Sequence, residues 1–216
     1  MIRGRPYHSL NLLELGILPS SWQEDVLRVS RDHAIDTVLT GEGFTSRERN
    51  PGQQFHVRVV DGVTVKQELV WLWNLYENEL RAFASRAFGK PLFTANLLHT
   101  TININHLSGR QAQYEWHVDS NPVTGVLFAT TSDDGLGGSL VFRKPCGARH
   151  IVLPKAGTFV CFDAREIPHR VAPLRKDGIR VSMPMNYYDS QTDQPRPSDL
   201  DSQIYTAGGG LGGPRG

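Results

Sequence analysis

The chain is short of several things, and each shortage removes a class of explanation. Among 216 residues there are two cysteines, Cys146 and Cys161. Two thiols are too few for a disulfide framework, so both are expected to be free in a reducing cytoplasm. No apolar run approaches the roughly 18 residues that a membrane span needs. Near the N-terminus, "LNLLELGIL" follows Arg3 and Arg5 but is broken by Asn11 and Glu14, and it lacks the apolar region and small-residue cleavage site of a secretory signal. Charge of one sign is missing too. The formal net charge is +1 with no long basic block, so neither a nucleic acid nor a membrane surface is an expected partner. What remains, 39% hydrophobic and 21% charged residues, is ordinary soluble composition in a chain long enough for one domain with a substantial core.

Two periodicities divide the sequence. Residues 1 to about 93 read as helical support. "LPSSWQEDVLRVSRDHAIDTVL" offers Ser20 or Ser21 as N-cap and apolar residues at Trp22, Val26, Val29 and Leu39. "VKQELVWLWNLYENELRAFASRAFGK" predicts one long helix carrying Leu69, Leu72, Leu75, Tyr76, Leu80 and Phe83, closed by Gly89 and Pro91. Between them, "TGEGFTSRERNPGQQFHVRVVDG" reads as a loop or irregular hairpin, long enough to serve as a lid. From residue 94 to about 190 the period becomes two. Eight short β-branched or aromatic stretches with Gly, Pro or Asp between them predict a mainly β fold, a double-stranded β-helix or jelly roll. The domain is expected to span 1–206, with the glycine-rich 207–216 a disordered tail.

"EWHVDSN" at 115–121 carries the chemistry. In a strand, residues i and i+2 share a face, so His117 and Asp119 would project into the barrel with Val118 facing away. His169 in "EIPHRVAPL" is the best third ligand, since a jelly roll brings distant strands side by side. Two histidines and one carboxylate leave open positions on an octahedral ion, the ligand set of non-haem Fe(II) oxygenases. Arg180 follows eleven positions after His169, with Ser182 on the same strand face. An inward arginine needs an anion, and its planar fork suits a carboxylate.

With "HVD" at 117–119, "GGSL" at 137–140, "GTFVCFDAREIPHRV" at 157–171 and "RVS" at 180–182, the chain resembles the Fe(II)- and 2-oxoglutarate-dependent dioxygenases, in their prolyl-hydroxylase-like or free amino-acid hydroxylase-like branch. The resemblance implies that His117, Asp119 and His169 bind Fe(II), and that Arg180 and Ser182 hold the far carboxylate of 2-oxoglutarate. It implies decarboxylation of that co-substrate to succinate and CO2 by O2, with hydroxylation of a C–H bond. One position departs from the pattern. Where relatives carry a tyrosine against the co-substrate, this chain has Leu107; Asn103, Asn105 or Thr101 would replace the contact, and Asn103 is the choice made here. Asp119 stands where halogenating relatives have a small residue, which favours hydroxylation. The layout is also similar to members that act on free amino acids, so the expected substrate is a small polar molecule, an amino acid or derivative.

The remaining polar residues have bland readings that weigh as much as sharp ones. His8, His33, His56, His99, His106 and His150 are expected to be surface or satisfied structural histidines. At least one of Trp71 and Trp73 is expected in the core. Trp116 should point outward and pack against a helix, and Arg170, alternating with His169, should form a surface salt bridge. Arg47, Arg49 and Asn50 would be solvated or would serve a lid over substrate. Asn121 is a turn residue before Pro122 or a hydrogen-bond partner for substrate near iron. Two rivals stand beside the first reading: a hydroxylase of a protein or peptide residue, and a silent metal-binding jelly-roll module.

Overall fold

The structure, a computed structural model, describes residues 5–40, 54–133, 135–144 and 146–195. Two antiparallel sheets face each other. The larger is built from β1 (His8–Asn11), β2 (Ile35–Thr40), β3 (Gln54–Val60), β4 (Phe93–Thr94), β5 (Ile104–Ser108), β7 (Val123–Phe128), β10 (Thr158–Asp163) and β12 (Ile179–Tyr188). Its order is β1-β10-β7-β12-β5-β3-β2, with β4 added to the end of β12. The smaller sheet has the order β6-β11-β8-β9, from β6 (Tyr114–His117), β8 (Leu140–Arg143), β9 (Arg149–Val152) and β11 (His169–Val171). All eight strands expected from residue 94 onward are present, in a jelly-roll arrangement.

Alternation in the long strand β12 divides the interior in two. Val181, Met183, Met185 and Tyr187 face the helical layer, where they join Leu72, Tyr76 and Leu80 in one buried cluster. The opposite face carries Arg180 and Ser182 toward the small sheet. Between the sheets lies a second cluster, with Val126, Phe128, Val160 and Phe162 from the large sheet and Leu140, Phe142 and Val152 from the small one. Because β7 is covered on both sides, all six of its residues are buried.

The N-terminal third differs from the helical reading. It contributes β1, β2 and β3 as well as helices, and the helix α1 (Trp22–His33) stops before Leu39, which lies in β2. The periodic apolar positions to Val29 are helical; beyond Ala34 the run "IDTVLT" is β-branched and pairs residue by residue with β3. The proposed cap at Ser21 makes no side-chain bond to the helix backbone; its hydroxyl donates to Asp25 Oδ2 at 2.8 Å instead. The long helix is also interrupted. Leu69, at φ −130°, separates α2 (Gly62–Glu68) from α3 (Val70–Leu75), and a π-helical segment, Tyr76–Leu80, precedes α4 (Arg81–Phe88). The π segment serves Tyr76, whose hydroxyl donates to Asn186 O at 2.8 Å and accepts from Ala95 N at 3.0 Å, tying the helices to the end of β12. Gly89 closes α4 in the left-handed conformation, as expected. Among the described residues, no helix is long and apolar enough to cross a membrane.

Candidate functional site

His117 ends β6 and His169 begins β11, and the two are direct partners across the antiparallel pair. Their ring centroids are 4.3 Å apart. Each ring is oriented by the chain two residues earlier: His117 Nδ1 lies 2.6 Å from Glu115 O, and His169 Nδ1 lies 3.0 Å from Ile167 O. A carbonyl only accepts, so each Nδ1 carries the hydrogen and each Nε2 is left with its lone pair. Both lone pairs turn toward one carboxylate. His117 Nε2 is 3.7 Å from Asp119 Oδ1, and His169 Nε2 is 3.7 Å from Asp119 Oδ2. These gaps are too long for hydrogen bonds. One ligand atom from each of the three residues lies within 4.8 Å of the others, as a shared ion requires.

Asp119 does not continue the strand as the spacing suggested. The strand ends at His117, and Val118 is buried. Asp119 is fixed by three contacts beyond the strand. Its N–H donates to Ala164 O at 2.8 Å. The next carbonyl, Ser120 O, accepts from both Nε and Nη2 of Arg165, at 3.2 and 2.9 Å. The Thr124 hydroxyl donates to Asp119 Oδ2 at 2.6 Å and accepts from Asn121 Nδ2 at 2.9 Å. The second Asn121 amide hydrogen goes to Val123 O at 2.8 Å. Asn121 is thus a buried turn residue behind the carboxylate, with its amide hydrogens committed, and not the free donor to substrate that the sequence also allowed. Phe162 meets the His169 ring edge-on at 4.7 Å, and Phe142 backs it at 6.5 Å, so the triad has a dry floor.

Arg180 is the largest fully buried side chain, at 2% exposure. Its Nε donates to Gly138 O at 2.9 Å and its Nη1 to Ser182 Oγ at 2.7 Å, while the guanidinium sits 5.5 Å from the centre of the Phe128 ring. No described carboxylate pairs with it. Burial lowers its pKa to about 10, with Tyr114 opposing the shift, so the group is a cation at neutral pH without an anion. The pair Gly137–Gly138 makes this geometry possible. Both have positive φ, and a Cβ on Gly138 would lie 3.2 Å from Arg180 Cδ, while one on Gly137 would collide with Pro173 O at 2.2 Å.

The residue expected to replace the missing tyrosine is corrected by the register. Arg180 pairs with Leu107 and Ser182 with Asn105. Asn103 lies further along, bound through its backbone to Pro184 O and through its amide to His99 O at 3.1 Å, so it is not beside Arg180. Thr101 donates to Leu98 O. Tyr114, buried on β6 and close enough to influence Arg180, is the aromatic that sequence reasoning missed. Its place three residues before His117 was the available signal, but the β-bulge between His169 and Val171 decides which way it points.

Other expectations resolve simply. His106 shares a buried 2.8 Å hydrogen bond with Ser30 on the helical side, and His99 pairs with Asp61 at 2.7 Å. Trp73 is in the core. Trp116 points outward as read, where Arg143, Arg149 and Arg170 stand over its ring, and no ion pair of Arg170 occurs among the described residues. Arg47, Arg49 and Asn50 lie outside the described residues, as does the glycine-rich tail.

Residues 102–188, which hold every part of this site, match the family model of the 2OG-Fe(II) oxygenase superfamily. No curated protein matches the chain. Among solved structures, a 2OG-Fe(II) oxygenase family oxidoreductase from Burkholderia pseudomallei is similar at 15% identity, with a TM-score of 0.64 over 88% of this chain and 89% of that one. A prolyl hydroxylase from Trichoplax adhaerens, in complex with a hypoxia inducible factor peptide fragment, is similar at 16% identity and a TM-score of 0.61, covering 85% and 84%. The epimerase SnoN, in complex with Fe3+, alpha ketoglutarate and nogalamycin RO, is similar at 14% identity and a TM-score of 0.56, covering 85% and 79%. The resemblance read in the sequence therefore holds in the family model and in the fold, and the family is one of enzymes that use Fe(II), 2-oxoglutarate and O2.

Proposed function

We propose, from the premise that residues 102–188 are the core of a 2OG-Fe(II) oxygenase, that this chain hydroxylates a C–H bond of a small polar substrate, a free amino acid or close derivative first among candidates. One observation supports the reading above the others. Two imidazole lone pairs and a carboxylate converge in the same interior that holds a buried guanidinium with no carboxylate partner. The two halves offer opposite chemistry: the first presents a carboxylate and two lone pairs suited to a cation, and the second a guanidinium suited to an anion. A 2-oxo dicarboxylic acid that chelates a metal at one end and meets Arg180 at the other suits both. A silent module has no physical need for that combination.

In this reading His117, Asp119 and His169 hold Fe(II), which when bound supplies oxygen activation coupled to decarboxylation of the co-substrate. The chain's own residues do the rest. The carbonyls of Glu115 and Ile167 select the tautomer of each neutral ring that turns Nε2 toward the ion, and Thr124 fixes the Asp119 carboxylate. Arg180 and Ser182 receive the distal carboxylate of 2-oxoglutarate, with Tyr114 in place of Asn103 as the nearby aromatic contact. Phe128, Phe142 and Phe162 keep water out of the floor, which strengthens these charge contacts.

The test is anaerobic titration of the Fe(II)-loaded protein with 2-oxoglutarate. A weak visible charge-transfer band is the expected result, followed in air by succinate release that rises with free amino acids in a substrate panel. No band from folded protein overturns the enzyme reading. A band with succinate release stimulated by peptides alone moves the substrate to a protein residue.

A further inference from the structure

The outer face of the small sheet presents a second concentration of guanidinium groups. Arg143 and Arg149 are direct partners across β8 and β9. Like charges directly opposite in a ladder repel, and no described carboxylate lies against either of them. Arg170 joins them on the next strand. The three guanidinium carbons lie 5.1, 6.0 and 5.0 Å from the centre of the Trp116 ring, for Arg143, Arg149 and Arg170 respectively. Arg170 Nε is buried and makes no hydrogen bond.

The edge beside this cluster is open. β9 is the last strand of the small sheet and pairs only with β8 among the described residues. Such an edge carries a row of backbone donors and acceptors without strand partners. On the cluster's face of β9, Arg149 is followed by Ile151 at 60% exposure, and just past the strand's end Leu153 is 41% exposed. A charged and an apolar position therefore share one face of an exposed edge, with a further apolar side chain at its end.

We propose that the free edge of β9, with the Arg143–Arg149–Arg170 cluster beside it, docks an extended acidic segment of another protein as an added strand. Its carboxylates meet the guanidinium groups, its apolar side chains cover Ile151 and Leu153, and its backbone pairs with β9. A nucleic acid fits less well. It has no peptide backbone to pair with the edge, and the Trp116 ring already carries guanidinium groups where a base would stack. A second copy of this chain fits less well too, because edge pairing would place two uncompensated cation clusters on one continuous sheet.

The experiment uses the full chain and a fluorescent peptide of alternating Glu and Val, followed by anisotropy at low and physiological salt. Binding is expected, weakening with salt. It should fall at least about tenfold when Arg143 and Arg149 are both replaced by Ser, the loss of two charge-assisted contacts. Succinate formation should not change in that variant, since both side chains are on the face turned away from the metal triad. The same peptide N-methylated at alternate residues should bind at least about tenfold more weakly to the unaltered protein, a comparison that needs no folded variant. The proposal is overturned if the Glu–Val peptide does not bind, or if either change leaves its affinity intact. It is also overturned if an oligothymidine competes through the same arginines as tightly as the peptide, or if sedimentation shows a dimer that the double substitution dissolves.

Discussion

The barrel interior contains two polar sites, and they are held by different means. The histidines of the His–Asp–His triad are oriented locally, each by a carbonyl two residues earlier in the chain. Arg180 is oriented from afar, by Gly138 O 42 positions away and by the Phe128 ring on a neighbouring strand, with Ser182 as a local partner. The two histidines stand on strands of four and three residues in the small sheet, whereas Arg180 stands on the ten-residue strand at the centre of the large one. Local orientation makes a site robust to small movements of the sheets and readable from a short motif. Distant orientation makes a site depend on the whole barrel being closed.

The largest effect should come from removing a triad ligand. His169→Ala is expected to abolish the visible band and succinate formation entirely, and to weaken Fe(II) binding measured anaerobically. Next, Arg180→Met should leave Fe(II) binding in place while raising the Kd for 2-oxoglutarate by about 100-fold or more, because charged hydrogen bonds contribute about 1.5–3 kcal/mol each. The rise in unfolding temperature that 2-oxoglutarate confers on the wild type should disappear in that variant, checked by calorimetry with and without ligand. If Arg180→Met loses iron as well, the two sites are not separable and the comparison fails.

A smaller effect tests the exception within the triad, Asp119, whose support is not local. Thr124→Val removes the hydroxyl from Asp119 Oδ2 and is expected to weaken Fe(II) affinity by about 10- to 100-fold, as loss of an outer hydrogen bond to a metal ligand usually does. Thr124→Ser should restore most of it, which distinguishes a lost hydrogen bond from a lost methyl contact. The smallest effect is with pH. Because burial lowers the Arg180 pKa to about 10, 2-oxoglutarate affinity should be flat through neutral pH and fall as pH rises through about 10. The linked stability has the opposite sign. Above that pH the unfolded chain binds the Arg180 proton more tightly than the folded one, so the wild type should gain stability relative to Arg180→Met.

These two modes of support also explain what could be read from the sequence. "HVD", His169 and "RVS" are short motifs, and the structure brings all their polar residues into one interior. Ser182 was legible as a partner of Arg180, but the β5 residue beside the pair was not, because it depends on register; a shift of two separates Asn103 from Asn105. Tyr114 and Arg165 were hidden for the same reason, since a bulge aims the first and a loop contact recruits the second. In the fold, the period-two strands after residue 94 were legible, whereas β1 was not, because only its pairing with β10 makes it a strand. β2 was hidden by the apolar spacing of α1, which runs on past the helix end to Leu39. The π segment at Tyr76 answers to tertiary bonds with Ala95 and Asn186, and helical spacing alone continues straight through it and through the break at Leu69.

The length of β12 has a consequence for how the molecule comes apart. That strand is paired with β5, β7 and β4 and lies beneath the helices, so its amides should exchange with deuterated solvent only when the whole molecule opens. The three-residue β11 is paired with β6 and β8 but is far shorter, and its amides should exchange through cheaper, partial openings. Metal would then be shed by local fraying while the arginine's strand stays zipped, leaving an intact shell ready for reloading.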